Sequence, residues 1–218
     1  MLSFPVNSRL ATTFVVAIFV WGVIPPRAAM ADSALPESVK ALLPAGSTPG
    51  EGSWETFETE FGTTFGGGLA VTEFPGKKPS CAFGLTTEFS FDLQGDSAFD
   101  EPPMLDMALQ QFQTDIENSH AGMSQFVTDY VKPLPDIVSV GTVQKEKLAG
   151  GEVIYVDMVE NCDSHPNGAK TMMRGSINRG ATRLSFQLVA SQDAATAKAV
   201  AAEIFKNFEA LDIKALIP

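Results

Sequence analysis

Histidine, cysteine, tryptophan and tyrosine are scarce in this chain, with two of each among 218 residues. So few histidines and cysteines leave little material for metal or nucleophilic chemistry. The sequence contains no C-x-x-C, H-E-x-x-H or G-x-S-x-G motif, which are the common signatures of metal sites and serine hydrolases. The glycine run 66–68 is followed neither by a Lys-Ser/Thr pair nor by a predicted helix, so it favours a turn over a phosphate loop. These absences predict no cofactor and make an enzyme the less favoured interpretation.

Basic residues are also scarce, because 15 lysines and arginines face 26 aspartates and glutamates, a formal net charge of −11. The predicted signal peptide holds two arginines and no acid, so the mature chain would carry thirteen basic residues against 26 acidic ones, or −13. An acidic surface repels nucleic acid and anionic lipid. The charge therefore predicts no nucleic-acid partner and leaves a protein partner open, although an ordinary solvated acidic surface is the favoured explanation.

One long apolar run, Leu10–Ile24, lies near the start of the chain. Arg9 precedes it, and Ala29-Met30-Ala31 supplies the small residues of a signal-peptidase site, which together are typical of a secretory signal peptide. The run of about fifteen residues is shorter than the ~20 that a spanning helix needs. Residues 1–31 are therefore predicted to be removed after Ala31. The mature protein is then expected in the periplasm or secreted, without stable membrane insertion.

The two cysteines, Cys81 and Cys162, are predicted to form a disulfide, because thiols of exported proteins are usually oxidised. Both lie at or near predicted strand ends, so the bridge would join two strands. Closing so long a loop would stabilise the fold by up to about 4–5 kcal/mol in the chain-entropy model. The alternatives are a buried thiol pair or a pair of metal ligands.

The mature chain is divided by composition into a short arm and one domain. Residues 32–52 are predicted to be a flexible N-terminal arm, with Val39, Leu42 and Leu43 as an apolar face that could dock on a partner. Residues 53–218 have the length of a single α+β domain. Its first strand is predicted at Trp54–Phe65, ended by the glycine run.

Alternation and helical spacing predict the fold class. In Thr182–Ala190 apolar and polar residues alternate, as in a half-buried antiparallel strand. Apolar residues at helical spacing predict helices at Met104–Val131 and Ala194–Leu211. We therefore expect an α+β protein, an antiparallel sheet of about five to seven strands packed by two main helices. The expected inward-facing side chains are Phe83, Phe89, Phe91, Phe112, Ile154, Val156, Leu184, Phe186, Ile204 and Phe208.

Chemically versatile side chains gather in one predicted loop, Glu160–Gly168. Glu160, Asp163 and His165, beside Cys162, are weak candidates for a metal site, because carboxylate, imidazole and thiolate all bind zinc. In the other interpretation Pro-Asn-Gly forms a turn, Asp163 caps the backbone and the cysteine belongs to the disulfide. The missing motifs favour this second interpretation, so neither metal ligands nor catalytic residues are assigned.

The order of elements resembles that of a known family. Strands precede one long helix, then an antiparallel meander that contains the segment AGGEVIY at 149–155, then a closing helix that ends IFKNF at 204–208. Over Trp54–Leu211 this is similar to the PsbP-like α/β fold. The resemblance implies a PsbP-like sandwich and a non-enzymatic exported assembly or binding protein. No functional motif matches, so no family site residue is carried over.

The sequence thus favours an exported, non-catalytic binding or assembly protein with a protein partner. The alternative is a metal-dependent or hydrolytic enzyme with its site in the loop Glu160–Gly168. No feature of the sequence specifies an oligomeric state.

Overall fold

The structure is a computed structural model that describes residues 35–59, 62–75, 88–96, 104–163, 165–190 and 192–216. Its strands are β1 Thr48–Thr59, β2 Gly62–Glu73, β3 Glu88–Asp96, β4 Ile137–Val140, β5 Gln144–Leu148, β6 Gly151–Cys162, β7 His165–Arg179 and β8 Thr182–Ala190. Its helices are α1 Glu37–Lys40, α2 Met104–Phe126 and α3 Ala194–Ala210, with a π-helical turn Val127–Val131 after α2 and a 3₁₀ turn Ile213–Leu216 at the end. In the described residues, none of these helices is both long and apolar enough to span a membrane.

The strands form one antiparallel sheet in the order β1-β2-β3-β8-β7-β6-β4, and β5 also pairs with β6. The sheet is seven positions wide, because β4 and β5 follow one another along the same edge of β6. Between them the chain leaves the ladder near Gly141, whose N–H still donates to the carbonyl of Asp157 at 2.8 Å. The predicted α+β class, an antiparallel sheet packed by two main helices, is confirmed.

The larger core lies between one face of the sheet and α3. The alternating positions Leu184, Phe186, Leu188 and Ala190 of β8 are all buried on this face, as their spacing predicts. The apolar stripe of α3 covers them, and the rings of Phe186 and Phe205 lie 5.6 Å apart. The buried residues of the α3 stripe are Ala197, Val200, Ala201, Ile204, Phe205 and Phe208.

A smaller core lies on the opposite face, under α2. Ile116 and Met123 of α2 pack there, together with Val127 and Val131 of the π-helical turn. The sheet contributes Ile154, Val156, Met158, Met172 and Val189. The expected inward set is therefore divided between two faces: Ile154 and Val156 lie under α2, and the α3 side holds Leu184, Phe186, Ile204 and Phe208. Phe112 is half-buried at the margin of this smaller core, and the side chains of Phe83, Phe89 and Phe91 lie outside the described residues.

The turn predicted at glycines 66–68 is wrong, because these residues lie inside β2 and the chain reverses between Thr59 and Gly62. A Cβ on Gly67 would lie 2.1 Å from the carbonyl oxygen of Ser53 on β1. The rings of Trp54 and Phe65 stack at 5.8 Å nearby. Glycine is needed here for the close approach of two strands and a ring, which the sequence alone does not distinguish from a turn.

The N-terminal segment packs on the domain, in contrast to the mobile arm expected for residues 32–52. Val39, Leu42 and Leu43 are buried in the larger core of this same chain, so they are not displayed to a partner. The Asn207 side chain donates to the carbonyls of Leu42 and Leu43 at 3.3 and 3.4 Å. Burying each of these aliphatic side chains contributes roughly 1.5–3 kcal/mol, which favours docking of the segment.

The N-cap of α3 is an acidic side chain. The helix begins at Ala194, and the carboxylate of Asp193 accepts from the N–H of Thr196 at 2.8 Å. Asp193 is therefore the N-cap of α3.

Candidate functional site

A buried ion pair, rather than a free loop, occupies the predicted Glu160–Gly168 site. β6 continues to Cys162 and β7 begins at His165, so most of the expected loop belongs to a tight hairpin. Glu160 is completely buried, and its two oxygens have different partners. Oε1 lies 2.6 Å from His165 Nδ1, and Oε2 accepts from Lys170 Nζ at 3.0 Å.

Strand register brings these three side chains together. Glu160 pairs with Gly168, and Lys170 pairs with Met158 two residues further along. Glu160 and Lys170 are thus diagonal neighbours on the face that α2 covers. The His165 ring lies directly over Gly168, where a Cβ would sit 2.0 Å from Nε2. Glycine at this position is therefore a condition for the His165–Glu160 contact.

Lys170 is the member of this cluster that sequence reasoning missed. The sequence pattern could have identified it. Lys170 is two residues from the buried Met172 on β7, so the two side chains share the inward-facing side of the strand. Burial lowers the pKa of Lys170, and the hydrogen bond and charge of Glu160 oppose that shift. The lysine and the glutamate compensate each other's charge in a place that water does not reach.

Two of the three metal candidates, Glu160 and His165, are brought into contact, and the third is not. Asp163 is exposed beyond the end of β6, and none of the hydrogen bonds or ion pairs between described residues joins it to the other two. That same part of the chain contains no group of three or more His, Cys, Asp or Glu side chains arranged to hold a metal ion. Both oxygens of Glu160 are already engaged, so a metal at Glu160 would have to displace His165 or Lys170.

The predicted disulfide remains a prediction. Cys162 lies at the end of β6, opposite His165, and Cys81 lies outside the described residues.

An open cleft of about 820 Å³ separates α2 from the sheet. Its walls are apolar where Phe112 and Ile116 of α2 face Ile154 of β6. Its floor is polar, because the α2-facing positions of β7 and β8 carry hydrophilic side chains at this end of the sheet. These floor residues are Arg174, Ser176, Arg183, Ser185 and Gln187.

The two arginines of the cleft differ in their partners. Arg183 bonds the Asp115 carboxylate at 2.6 Å and lies 5.1 Å from the centre of the Phe112 ring. Arg179, the other described arginine, donates to carbonyls at the end of α3. Arg174 is thus the arginine of the described chain that makes neither a hydrogen bond nor an ion pair. Partial burial lowers the pKa of its guanidinium, although the residue as a whole stays exposed, as expected for a charge inside an open cleft.

Acidic side chains also line the cleft. Glu51 lies on the β1 side, and Glu152 lies diagonally across the β6–β7 ladder from Arg174, because Arg174 pairs with Ile154 and Glu152 with Ser176. Neither glutamate forms an ion pair with Arg174 in the described structure. Since Asp115 neutralises Arg183, Arg174 is the unneutralised positive charge of a cleft whose margin is otherwise negative.

A second groove adjoins the first and extends it toward the N-terminal end of α2. It also has a volume of about 820 Å³ and shares Phe112 and Arg183 with the first cleft. Its margin includes Met107 and Leu109, which are 60% and 39% exposed. The cleft is therefore continuous with an apolar surface beside the first turns of α2.

No family model, no curated protein and no solved structure matches this chain. The similarity to the PsbP-like fold accordingly stays a prediction from the order of elements.

Proposed function

We propose that this chain is an exported, non-catalytic binding protein and that its binding site is the cleft between α2 and the sheet. The observation that carries the proposal is Arg174, a partly desolvated cation with no partner of its own in an open cleft. Because Arg174 is exposed in the cleft, a ligand can reach its guanidinium and supply the counter-charge that no described residue supplies. The cleft volume falls within the range of about 300–1,000 Å³ that is usual for ligand sites.

The enzyme alternative, centred on the Glu160–Gly168 segment, has less support. A hydrolytic or metal site needs a base or ligand that can reach substrate. Glu160 is fully buried and bonded at both oxygens, and Asp163 stands apart from it. This arrangement favours a clasp that holds the β6–β7 hairpin together.

Export and the assembly role implied by the PsbP-like resemblance complete the proposal. The signal-peptide pattern of residues 1–31 supports export. The groove that adjoins the cleft gives a protein or small-molecule partner a surface on the α2 side of the sheet.

Site-specific photo-crosslinking in the native cell tests the proposal. A photoreactive amino acid at Glu51, exposed on the cleft rim, should yield an adduct that is seen by intact mass or as a shifted band. The same group at Lys206, exposed on α3 in the opposite layer, is the matched control. Adducts from Lys206 with none from Glu51 would refute the cleft as the binding site.

Metal analysis separates the two functional classes. The purified protein should contain no stoichiometric zinc, and a His165→Ala variant should have the same metal content. Stoichiometric zinc that is lost in that variant would overturn the proposal in favour of the enzyme.

A further inference from the structure

The guanidinium of Arg174 restricts which ligands the cleft can recognise. The inference about the ligand rests on the proposed function. Guanidinium offers two parallel N–H donors, which match the two oxygens of a carboxylate better than they match a single carbonyl. The neighbouring floor residues Ser176 and Ser185 carry neutral hydroxyl groups. They could complete the hydrogen bonds of an anion without adding charge.

The charge around Arg174 limits the charge of the ligand. Arg183 is already paired with Asp115 at 2.6 Å, so it contributes little further attraction. Glu51 and Glu152 add negative charge to the lining without pairing to Arg174. A dianion such as phosphate or a dicarboxylate would gain one favourable contact and meet two repulsive neighbours. Because the lining offers one cation without an ion-pair partner, a second negative charge on the ligand would add repulsion without adding a contact.

The apolar walls of the cleft indicate that the rest of the ligand is apolar. Phe112, Ile116 and Ile154 present apolar surface beside the charged floor. The adjoining groove continues this surface to the exposed side chains of Met107 and Leu109. An apolar body attached to the anionic group would cover these side chains and gain roughly 25 cal/mol for each Å² removed from water.

We infer that the cleft binds organic monocarboxylates with an apolar chain or ring, held through the carboxylate by Arg174 and through the apolar body by the α2 wall. Carboxylate and apolar body act together, so neither an uncharged analogue nor a small polar anion satisfies the site.

The test uses 4-phenylbutyrate as the probe and 4-phenylbutanamide as its uncharged match, with calorimetry on the mature protein. A charge-assisted hydrogen-bonded pair corresponds to roughly ten- to a hundredfold in affinity. The amide should therefore bind at least about tenfold more weakly than the acid. Arg174→Ala should weaken the binding of 4-phenylbutyrate by a similar factor, and Arg174→Lys should weaken it by less. Lys206→Ala should leave the affinity unchanged. Inorganic phosphate should not compete.

A control is needed to show that the Arg174→Ala variant still folds. Arg174 makes no hydrogen bond or ion pair in the described chain, so Arg174→Ala should unfold at the same denaturant concentration as the wild type or a higher one. Equal binding of acid and amide, absence of measurable 4-phenylbutyrate binding, unchanged affinity in Arg174→Ala, or competition by phosphate would each overturn the inference. Adducts from the photoreactive group at Glu51 together with any of these results would leave the proposed function standing and reject the ligand class alone.

A further arm identifies the source of the carboxylate. An acetylated peptide that ends in phenylalanine with a free carboxylate is compared with the same peptide amidated. Tighter binding of the free-acid peptide than of 4-phenylbutyrate would support the inferred chemistry, with the C-terminus of a protein or peptide as the source of the carboxylate. The reverse order would support a free small molecule.

Discussion

Removal of one partner from the buried Glu160–Lys170 pair should destabilise the protein far more than removal of both. At 3.0 Å and an effective dielectric constant of about 20, the attraction is roughly 5–6 kcal/mol. The desolvation of two fully buried ions costs several kcal/mol each, so the pair as a whole is close to neutral. Lys170→Met leaves the Glu160 carboxylate buried without its lysine counter-charge. We expect this variant to lose about 3–5 kcal/mol at neutral pH, which corresponds to a fall in Tm of roughly 10 °C.

The double variant and a surface control make that expectation specific. Glu160→Leu combined with Lys170→Met removes both charges and should stay within about 1 kcal/mol of the wild type. Lys206→Met deletes the same kind of charge from an exposed position on α3 and should change the free energy of unfolding by at most about 0.5 kcal/mol. Urea unfolding followed by circular dichroism measures all three. A cost under about 1 kcal/mol for Lys170→Met, or a double variant as unstable as the single one, would refute the reasoning from a dry ion pair.

Four further predictions follow from the packing and the charges. Phe186→Ala should cost about 3–5 kcal/mol in urea unfolding, because the ring is buried in the larger core, and a loss well under 1 kcal/mol would mean that the β8 register is shifted by one residue. Asp193→Ala should cost about 1 kcal/mol by removing the α3 cap, whereas Asp193→Asn should retain most of it. An alkylating reagent should modify Cys81 and Cys162 of the exported protein only after a reductant has been added. Modification without reductant would exclude the disulfide. Because burial lowers the pKa of Lys170 from 10.5, the unfolded chain holds that proton to higher pH than the folded one. The free energy of unfolding of the wild type, relative to that of Lys170→Met, should therefore rise with pH between the lowered pKa and 10.5. Parallel pH profiles of the two proteins would contradict this.

The secondary structure and its inward faces were predictable from local pattern. The alternation of Leu184, Phe186 and Leu188 and the helical stripe that ends at Phe208 identify buried positions, since period two and period 3.6 each place apolar residues on one side. The bounds of α3 and the α+β class follow from the same signals. Local pattern was insufficient for glycines 66–68, because a glycine in a turn and a glycine under a neighbouring ring have the same sequence.

The candidate site depends on contacts between residues that are distant in sequence. Glu160 and His165 were noticed from the sequence, but the diagonal pairing that supplies Lys170, and the consequent occupation of both carboxylate oxygens, exists only in the β6–β7 register. The cleft exists because α2 covers part of one sheet face, and within it Arg183 is paired with Asp115 whereas Arg174 has no ion-pair partner among the described residues. The sequence by itself determined which side chains are apolar, charged or conformationally free, and hence the elements and their faces. The tertiary structure decided which charges are buried, paired or left open, because burial and pairing depend on distances in space that one-dimensional spacing does not contain.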